Sequence, residues 1–172
     1  KSIELKNIVF KYPNSEKEIL KKLSLKILPG SSIGIIGATG SGKSTLVDII
    51  LGLLPPSNGQ VLVDGNNINI NNNHLAWQSQ IGYIPQDIYL IDDTIKRNIA
   101  FGIDDNEISE DDIQRAIKLA QISEFVSDLP LQLNTIIGNR GIRLSGGQRQ
   151  RVGIARALYR KSKILVFDEA TS

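Results

Sequence analysis

One stretch constrains this chain more than any other: Gly37-Ala38-Thr39-Gly40-Ser41-Gly42-Lys43-Ser44, which has the form G-x-x-x-x-G-K-S. Ile33-Gly34-Ile35-Ile36 comes just before it, short and rich in β-branched residues; residues 45–54 follow, dominated by Leu, Ile and Val. The order predicts a buried strand, a glycine-rich turn and a buried helix, the setting in which this pattern makes a phosphate-binding loop. Glycines let successive N–H groups curl inward around an anion. The helix that follows adds unpaired N–H groups and the positive end of its dipole. Lys43 is then placed to reach β- and γ-phosphates, and the Ser44 hydroxyl to ligate Mg²⁺.

At 172 residues the chain is long enough for one domain with a core. A net charge of +2 gives no case for nucleic acid or an anionic membrane. Without cysteine there is no disulfide framework and no thiolate metal site. No apolar run approaches the roughly 18–20 residues of a membrane span. The chain opens on Lys1 and reads as a piece of something longer.

Before the loop, residues 3–5, 8–10 and 23–27 read as strands that form an antiparallel sheet. Tyr12 follows the second of these and, on sequence physics alone, is an ordinary surface tyrosine. Pro55 and Pro56 are expected to stop the helix after the loop. Residues 60–65 read as a further strand, the asparagine-rich stretch 66–73 as a loop, and 74–79 as a short helix. His74, the sole histidine, has nothing of metal or base spacing around it and reads as a surface residue.

Residues 81–85 form a short apolar strand that ends beside Gln86. Its carboxamide lies either at a ligand-facing strand end or in a plain polar loop. From residue 87 to 162 the pattern turns helical. Ser109 with three acids after it predicts a helix start, and Ile113, Ala116, Ile117 and Ala120 make its apolar face. Leu144-Ser145-Gly146-Gly147-Gln148 fits a capping box at another helix start. Two glycines in that first turn weaken a helix and suit close approach by an anion. Val152, Ala155 and Leu158 face inward, while Arg149, Arg151, Arg156 and Arg160 read as a solvated, helix-supporting face rather than a nucleic-acid surface. Finally, Ile164-Leu165-Val166-Phe167 predicts a strand buried on both faces, with Asp168 and Glu169 at its end. If it neighbours the strand feeding the glycine loop, Asp168 falls beside the metal and Glu169 is placed to orient or deprotonate water; otherwise the pair is an acidic turn.

Together these motifs resemble the nucleotide-binding domain of ATP-binding cassette (ABC) proteins, over essentially the whole chain. Residues 144–148 resemble the signature that separates that family from other P-loop ATPases. The resemblance implies an α/β fold: a P-loop NTPase core with a mainly parallel sheet (31–86 and 163–172), an N-terminal antiparallel β-subdomain (1–30) and an α-helical subdomain insertion (87–162). It makes Tyr12 the adenine-stacking aromatic and places Gly37, Thr39, Gly40, Ser41, Gly42, Lys43, Ser44 and Thr45 around the phosphates of ATP. Ser44, Gln86 and Asp168 become the Mg²⁺ residues, and Glu169 the catalytic base, assisted by Gln86 and Lys43.

Ser145, Gly146, Gly147 and Gln148 would grip the ATP held by a second copy in a head-to-tail dimer. Gln86-Asp87-Ile88-Tyr89-Leu90, Thr94-Ile95 and Asn98-Ile99 resemble exporter-type members, in which this region sits against a transmembrane domain. Gly138-Asn139-Arg140-Gly141 resembles the exporter loop before the signature, with Asn139 in place of the usual acid. The implied function is ATP-driven export or lipid flipping at the cytoplasmic face of a membrane. A soluble ABC protein acting on ribosomes or DNA, or a dimerising switch without turnover, are the other readings. The family's later histidine and aspartate loop would follow Ser172, so the chain as given is expected to bind ATP·Mg²⁺ but hydrolyse it poorly.

Overall fold

The computed structural model describes residues 1–70, 73–138 and 142–168. Glu169, Asn139, Arg140 and Gly141, all named above, lie outside the described residues, as do Asn71, Asn72, Ala170, Thr171 and Ser172. The chain divides into two compact units, Lys1–Ser79 and Gln80–Ser172.

The first unit contains β1 (Ile3–Phe10), β2 (Leu20–Ile27), α1 (Lys43–Ile50), β3 (Asn58–Val63), β4 (Asn66–Asn67) and α2 (Asn73–Gln78). Its strands form one antiparallel sheet in the order β2-β1-β3-β4. Ile3, Leu5, Ile8 and Phe10 are buried, so the alternation of β1 slips by one in the middle. The slip is a bulge at Asn7, whose φ is 50°, and the pairing with both neighbours shifts there. Gly59 packs against it; a Cβ at that position would sit 2.4 Å from the Lys6 carbonyl oxygen. An extra residue in one strand bends it and sharpens its twist.

Helix α1 is shorter than the hydrophobic run suggests. It ends at Ile50 because Gly52 adopts φ 71°, with Leu53 N–H donating to the Asp48 carbonyl (2.9 Å) and Gly52 N–H to the Ile49 carbonyl (3.1 Å). This is a Schellman ending, so the stop is a glycine and not Pro55. The buried indole of Trp77 on α2 donates to the Ile50 carbonyl at 2.7 Å, satisfying another helix-end acceptor.

Residues 33–36 depart from expectation. They form no strand, and Ile36 is 94% exposed. A parallel strand needs ladder partners, and among the described residues none pairs with this segment.

The second unit contains β5 (Ile81–Ile84), β6 (Asp93–Thr94), α3 (Ile95–Ile99), α4 (Glu110–Leu119), α5 (Ser123–Ser127), β7 (Ile136–Ile137), α6 (Gly146–Tyr159) and β8 (Ile164–Phe167). Its helical core gathers Ile95, Ile99, Ile113, Ala116, Ile117, Val152 and Ala155, so the predicted α4 face is the buried one. Ser109 caps α4, accepting from the Asp112 N–H. Strands β5 and β8 are parallel and in register, Ile81 with Ile164 through Ile84 with Phe167. Helix α6 lies close on β5: a Cβ on Gly82 would fall 2.9 Å from that of Ala157, and one on Gly153 2.6 Å from Ile88 Cδ1. Only one face of β8 is sheltered; Leu165 and Phe167 are exposed. The expectation of burial on both faces fails because, among the described residues, the parallel sheet has two strands.

Candidate functional site

The glycine loop is built by its own lysine. Lys43 Nζ donates to the carbonyls of Gly37 (2.8 Å) and Ala38 (3.1 Å), drawing the start of the loop over the start of α1. The Ser41 N–H closes a turn onto the Ala38 carbonyl at 3.1 Å. Gly40 and Gly42 take φ of 78° and 95°, which other residues adopt only with strain. At Gly37 a Cβ would lie 2.7 Å from Ser41 Oγ, and at Gly42 2.9 Å from Ile19 Cγ2. At Gly40 the same space is open. Gly42 is the N-cap of α1 and has no side chain to satisfy the first-turn N–H groups. The loop therefore ends on a helix start with no side-chain cap, with the Lys43 ammonium drawn back over it, and both features favour an anion.

Tyr12 lies beside this loop. Its hydroxyl shares a 3.0 Å hydrogen bond with the buried Thr45 Oγ1 on α1. Its ring stands edge-on to Phe10, with centroids 5.0 Å apart, and is still 42% exposed. The sequence placed Tyr12 at a strand end; its tie to Thr45 was not visible there, because nothing local joins positions 33 residues apart. Ser44, the neighbour of Thr45, is exposed in the first turn of α1.

In the second unit the strand ends bring polar groups together. Asp168 follows β8 directly, and its N–H donates to the Ile84 carbonyl at 3.0 Å. The Tyr83 hydroxyl donates to Asp168 Oδ2 at 3.1 Å. Gln86 is exposed just beyond β5, at the same end of the strand pair. Parallel pairing is what puts both carboxyl-terminal ends on one side.

At the start of α6 the capping box forms as predicted. Ser145 Oγ accepts from the Gln148 N–H (3.2 Å), and Gln148 Oε1 accepts from the Ser145 N–H (2.9 Å). Gly146 and Gly147 have open space where a Cβ would be. Among the described residues nothing requires these two to be glycine, unlike Gly153 further along the same helix.

Arg149, Arg151 and Arg160 on α6 are exposed, as a solvated face requires, while Arg156 is half-buried, and three of the four also serve backbone carbonyls. Arg151 donates to the Gln121 carbonyl (2.8 Å) and Arg160 to that of Phe101 (2.8 Å). Arg156 donates to the carbonyls of Asn98 (2.9 Å) and Tyr89 (3.0 Å), with its guanidinium 5.1 Å from the centre of the Phe101 ring. Burial, with the nearby charge of Arg160, pulls its pKa below the usual arginine value. The carbonyls at the end of α3 lack helical partners, and long forked donors supply them. The fully buried Asn98 serves the same segment, accepting from the Ile91 N–H and donating to the Ile91 carbonyl, both at 3.0 Å.

Mg²⁺ fits the donor chemistry of each unit taken by itself: Ser44 in the first offers a hydroxyl oxygen, and Gln86 and Asp168 in the second offer a carboxamide and a carboxylate oxygen. Among the described residues no group of three His, Cys, Asp or Glu forms a dedicated cage. Mg²⁺ keeps several waters and is bound by one or two protein oxygens plus substrate phosphates. Among the described residues no helix is long and apolar enough to cross a membrane.

The comparisons agree with this geometry. A family model described as "ABC transporter" matches residues 20–172. The chain is 44% identical over 170 residues to the ABC transporter ATP-binding protein YfiB of Bacillus subtilis, and 43% identical over 174 residues to an ATP-dependent lipid A-core flippase of Pseudoalteromonas translucida. Each alignment covers 99% of this chain and 29% of the relative. It is 40% identical to human ATP-binding cassette sub-family B member 5, covering 99% of this chain and 13% of that protein. The structure of a bacterial Atm1-family ABC exporter with ATP bound matches with a TM-score of 0.88 at 39% identity, across 99% of this chain and 29% of the other. The chain thus spans under a third of the length of these relatives. Its α/β fold, with an antiparallel N-terminal sheet, a parallel strand pair and packed helices, is that of the P-loop NTPases. With a lysine-drawn glycine loop and a capped LSGGQ helix on that fold, the chain belongs to the ABC transporter family, as an ATP-binding domain of the exporter type.

Proposed function

We propose that this domain binds and hydrolyses ATP to power an exporter or lipid flippase through ATP-driven, head-to-tail dimerisation. The observation that carries the reading is the Lys43 ammonium bound to the Gly37 and Ala38 carbonyls, over a helix start with no side-chain cap. An incoming triphosphate exchanges those two carbonyls for phosphate oxygens of full charge, a stronger charge-assisted pairing.

In this reading the amides of residues 37–45 and Lys43 hold the phosphates, and Tyr12 stacks on adenine. When bound, Mg²⁺ neutralises charge on the β- and γ-phosphate oxygens. Ser44, Gln86 and Asp168 would supply its protein oxygens. Gln86 also orients the attacking water, and Glu169 accepts its proton. The water oxygen bonds to the γ-phosphorus as the bond to the β–γ bridging oxygen breaks, giving ADP and phosphate. Ser145, Gly146, Gly147 and Gln148 of one copy close on the nucleotide of the other, so loss of the γ-phosphate lets the pair open. The domain works at the cytoplasmic face of a membrane, against a transmembrane domain. The assignment of subdomains 1–30, 31–86 with 163–172, and 87–162 belongs to the same proposal. The flippase and sub-family B relatives support export over action on ribosomes or DNA.

ATPase assays on the full-length protein, with and without Glu169→Gln, test it. Lost turnover with retained ATP-driven dimerisation is the expected result. Unchanged turnover removes Glu169 as base, and a wild-type protein that dimerises without turnover is a switch.

A further inference from the structure

Tyr83 has no place in the roles above, yet its hydroxyl is bonded to Asp168 at 3.1 Å. The strand register explains the contact. Tyr83 lies opposite Val166 in the parallel pair, and residues in register share a face, so Asp168, two positions beyond Val166, projects on the Tyr83 side. The phenol is long enough to reach forward to it. Asp168 is thereby fixed twice: its amide on the Ile84 carbonyl and its Oδ2 on the phenol. A carboxylate has two oxygens and about four lone pairs. With Oδ2 engaged by a donor, the side chain loses rotational freedom.

We infer that Tyr83 is a positioning residue for the metal: it presets the Asp168 carboxylate so that one oxygen faces Mg²⁺ or its water shell. This rests on the role proposed for Asp168. Hydrogen-bonded outer partners of metal ligands fix ligand orientation, and losing one from an enclosed site costs about 10–100-fold in metal affinity. Tyr83 is partly exposed, so the effect sits at or below the low end of that span.

The test is Tyr83→Phe in the full-length protein, which removes only the hydroxyl. Calorimetry measures ATP binding across a Mg²⁺ series and again in EDTA. The expected result is a half-saturating Mg²⁺ concentration raised about three- to tenfold, with metal-free ATP affinity and thermal unfolding unchanged. A wild-type Mg²⁺ requirement overturns the inference, as does an equal loss of affinity with and without metal. Asp168→Asn in the same titration separates the two claims. If it raises the Mg²⁺ requirement and Tyr83→Phe does not, the tyrosine alone is wrong; if it changes nothing, the metal role of Asp168 falls and the inference with it.

Discussion

The chain has two helix starts open to an anion, α1 after Gly42 and α6 after Ser145, and they are built in opposite ways. At α1 the N-cap is a glycine with no side-chain bond, and charge comes from Lys43 in the first helical position. At α6 the cap is a reciprocal Ser145–Gln148 box, and the nearest basic residue, Arg149, is the fourth of the helix. The first start is electrically hungry and its loop is held by a cation bonded to its own backbone. The second has already satisfied two of its orphan groups and has only bare glycines to offer. In the proposed function the first start holds the polyanion by itself and the second adds contacts to an anion already placed, the division of labour that a composite dimer site would require.

The largest break in that comparison comes from Lys43→Ala. Removing a charged hydrogen-bonding partner costs about 2–3 kcal/mol, on the order of 100-fold in Kd for ATP. Calorimetry on the single domain reads this directly. An affinity within threefold of wild type would mean that the loop amides, not the ammonium, dominate, and the contrast between the two helix starts would narrow.

Legibility in the sequence followed the range of the interaction. Capping boxes, apolar helical faces and glycine turns act within four residues, and so Ser145, Gln148, Ser109 and the α4 face were readable. Asp168 at a strand end was readable because a run of four apolar residues sets it up. The ties that cross the fold were not. Tyr12 with Thr45, Tyr83 with Asp168 and Arg156 with Asn98 depend on which elements are neighbours, and no local pattern encodes that. The α6 arginines were legible in part for the same reason: Arg149, Arg151 and Arg160 are exposed as expected, but Arg151, Arg156 and Arg160 also donate to backbone carbonyls about thirty to sixty-seven residues away. Residues 33–36 and 164–167 were both expected to be fully buried; burial of an apolar strand is decided by its neighbours, and the apolar run itself carries no record of them. The end of α1 was expected at Pro55 and Pro56, but the left-handed Gly52 stops the helix first.

A second break is Gly147→Val. A Cβ at this position meets nothing among the described residues, and valine has better helix propensity than glycine, so thermal stability should hold or rise. ATP binding to single copies should not change. ATP-driven dimerisation should weaken, since overfilling a packed contact costs about 1–3 kcal/mol, roughly 5- to 150-fold. Analytical ultracentrifugation with a non-hydrolysable nucleotide shows which: dimerisation at wild-type strength would remove α6 from the nucleotide site.

The finest distinction lies within Ser145, which serves α6 as a cap and is proposed to serve a partner's phosphate as well. Two substitutions pull these apart. Ser145→Ala removes the acceptor for the Gln148 N–H and should cost about 1 kcal/mol, a fall of about 2–4 °C in Tm for a chain of this size. Ser145→Asp keeps the cap and places negative charge at the positive end of the helix, so stability should stay within about 0.5 kcal/mol of wild type. The same carboxylate faces an arriving phosphate with like charge, so dimerisation on ATP should fall further in Ser145→Asp than in Ser145→Ala. If instead the dimer follows stability across the pair, Ser145 acts only by holding the helix, and the anion is met by the glycine amides alone.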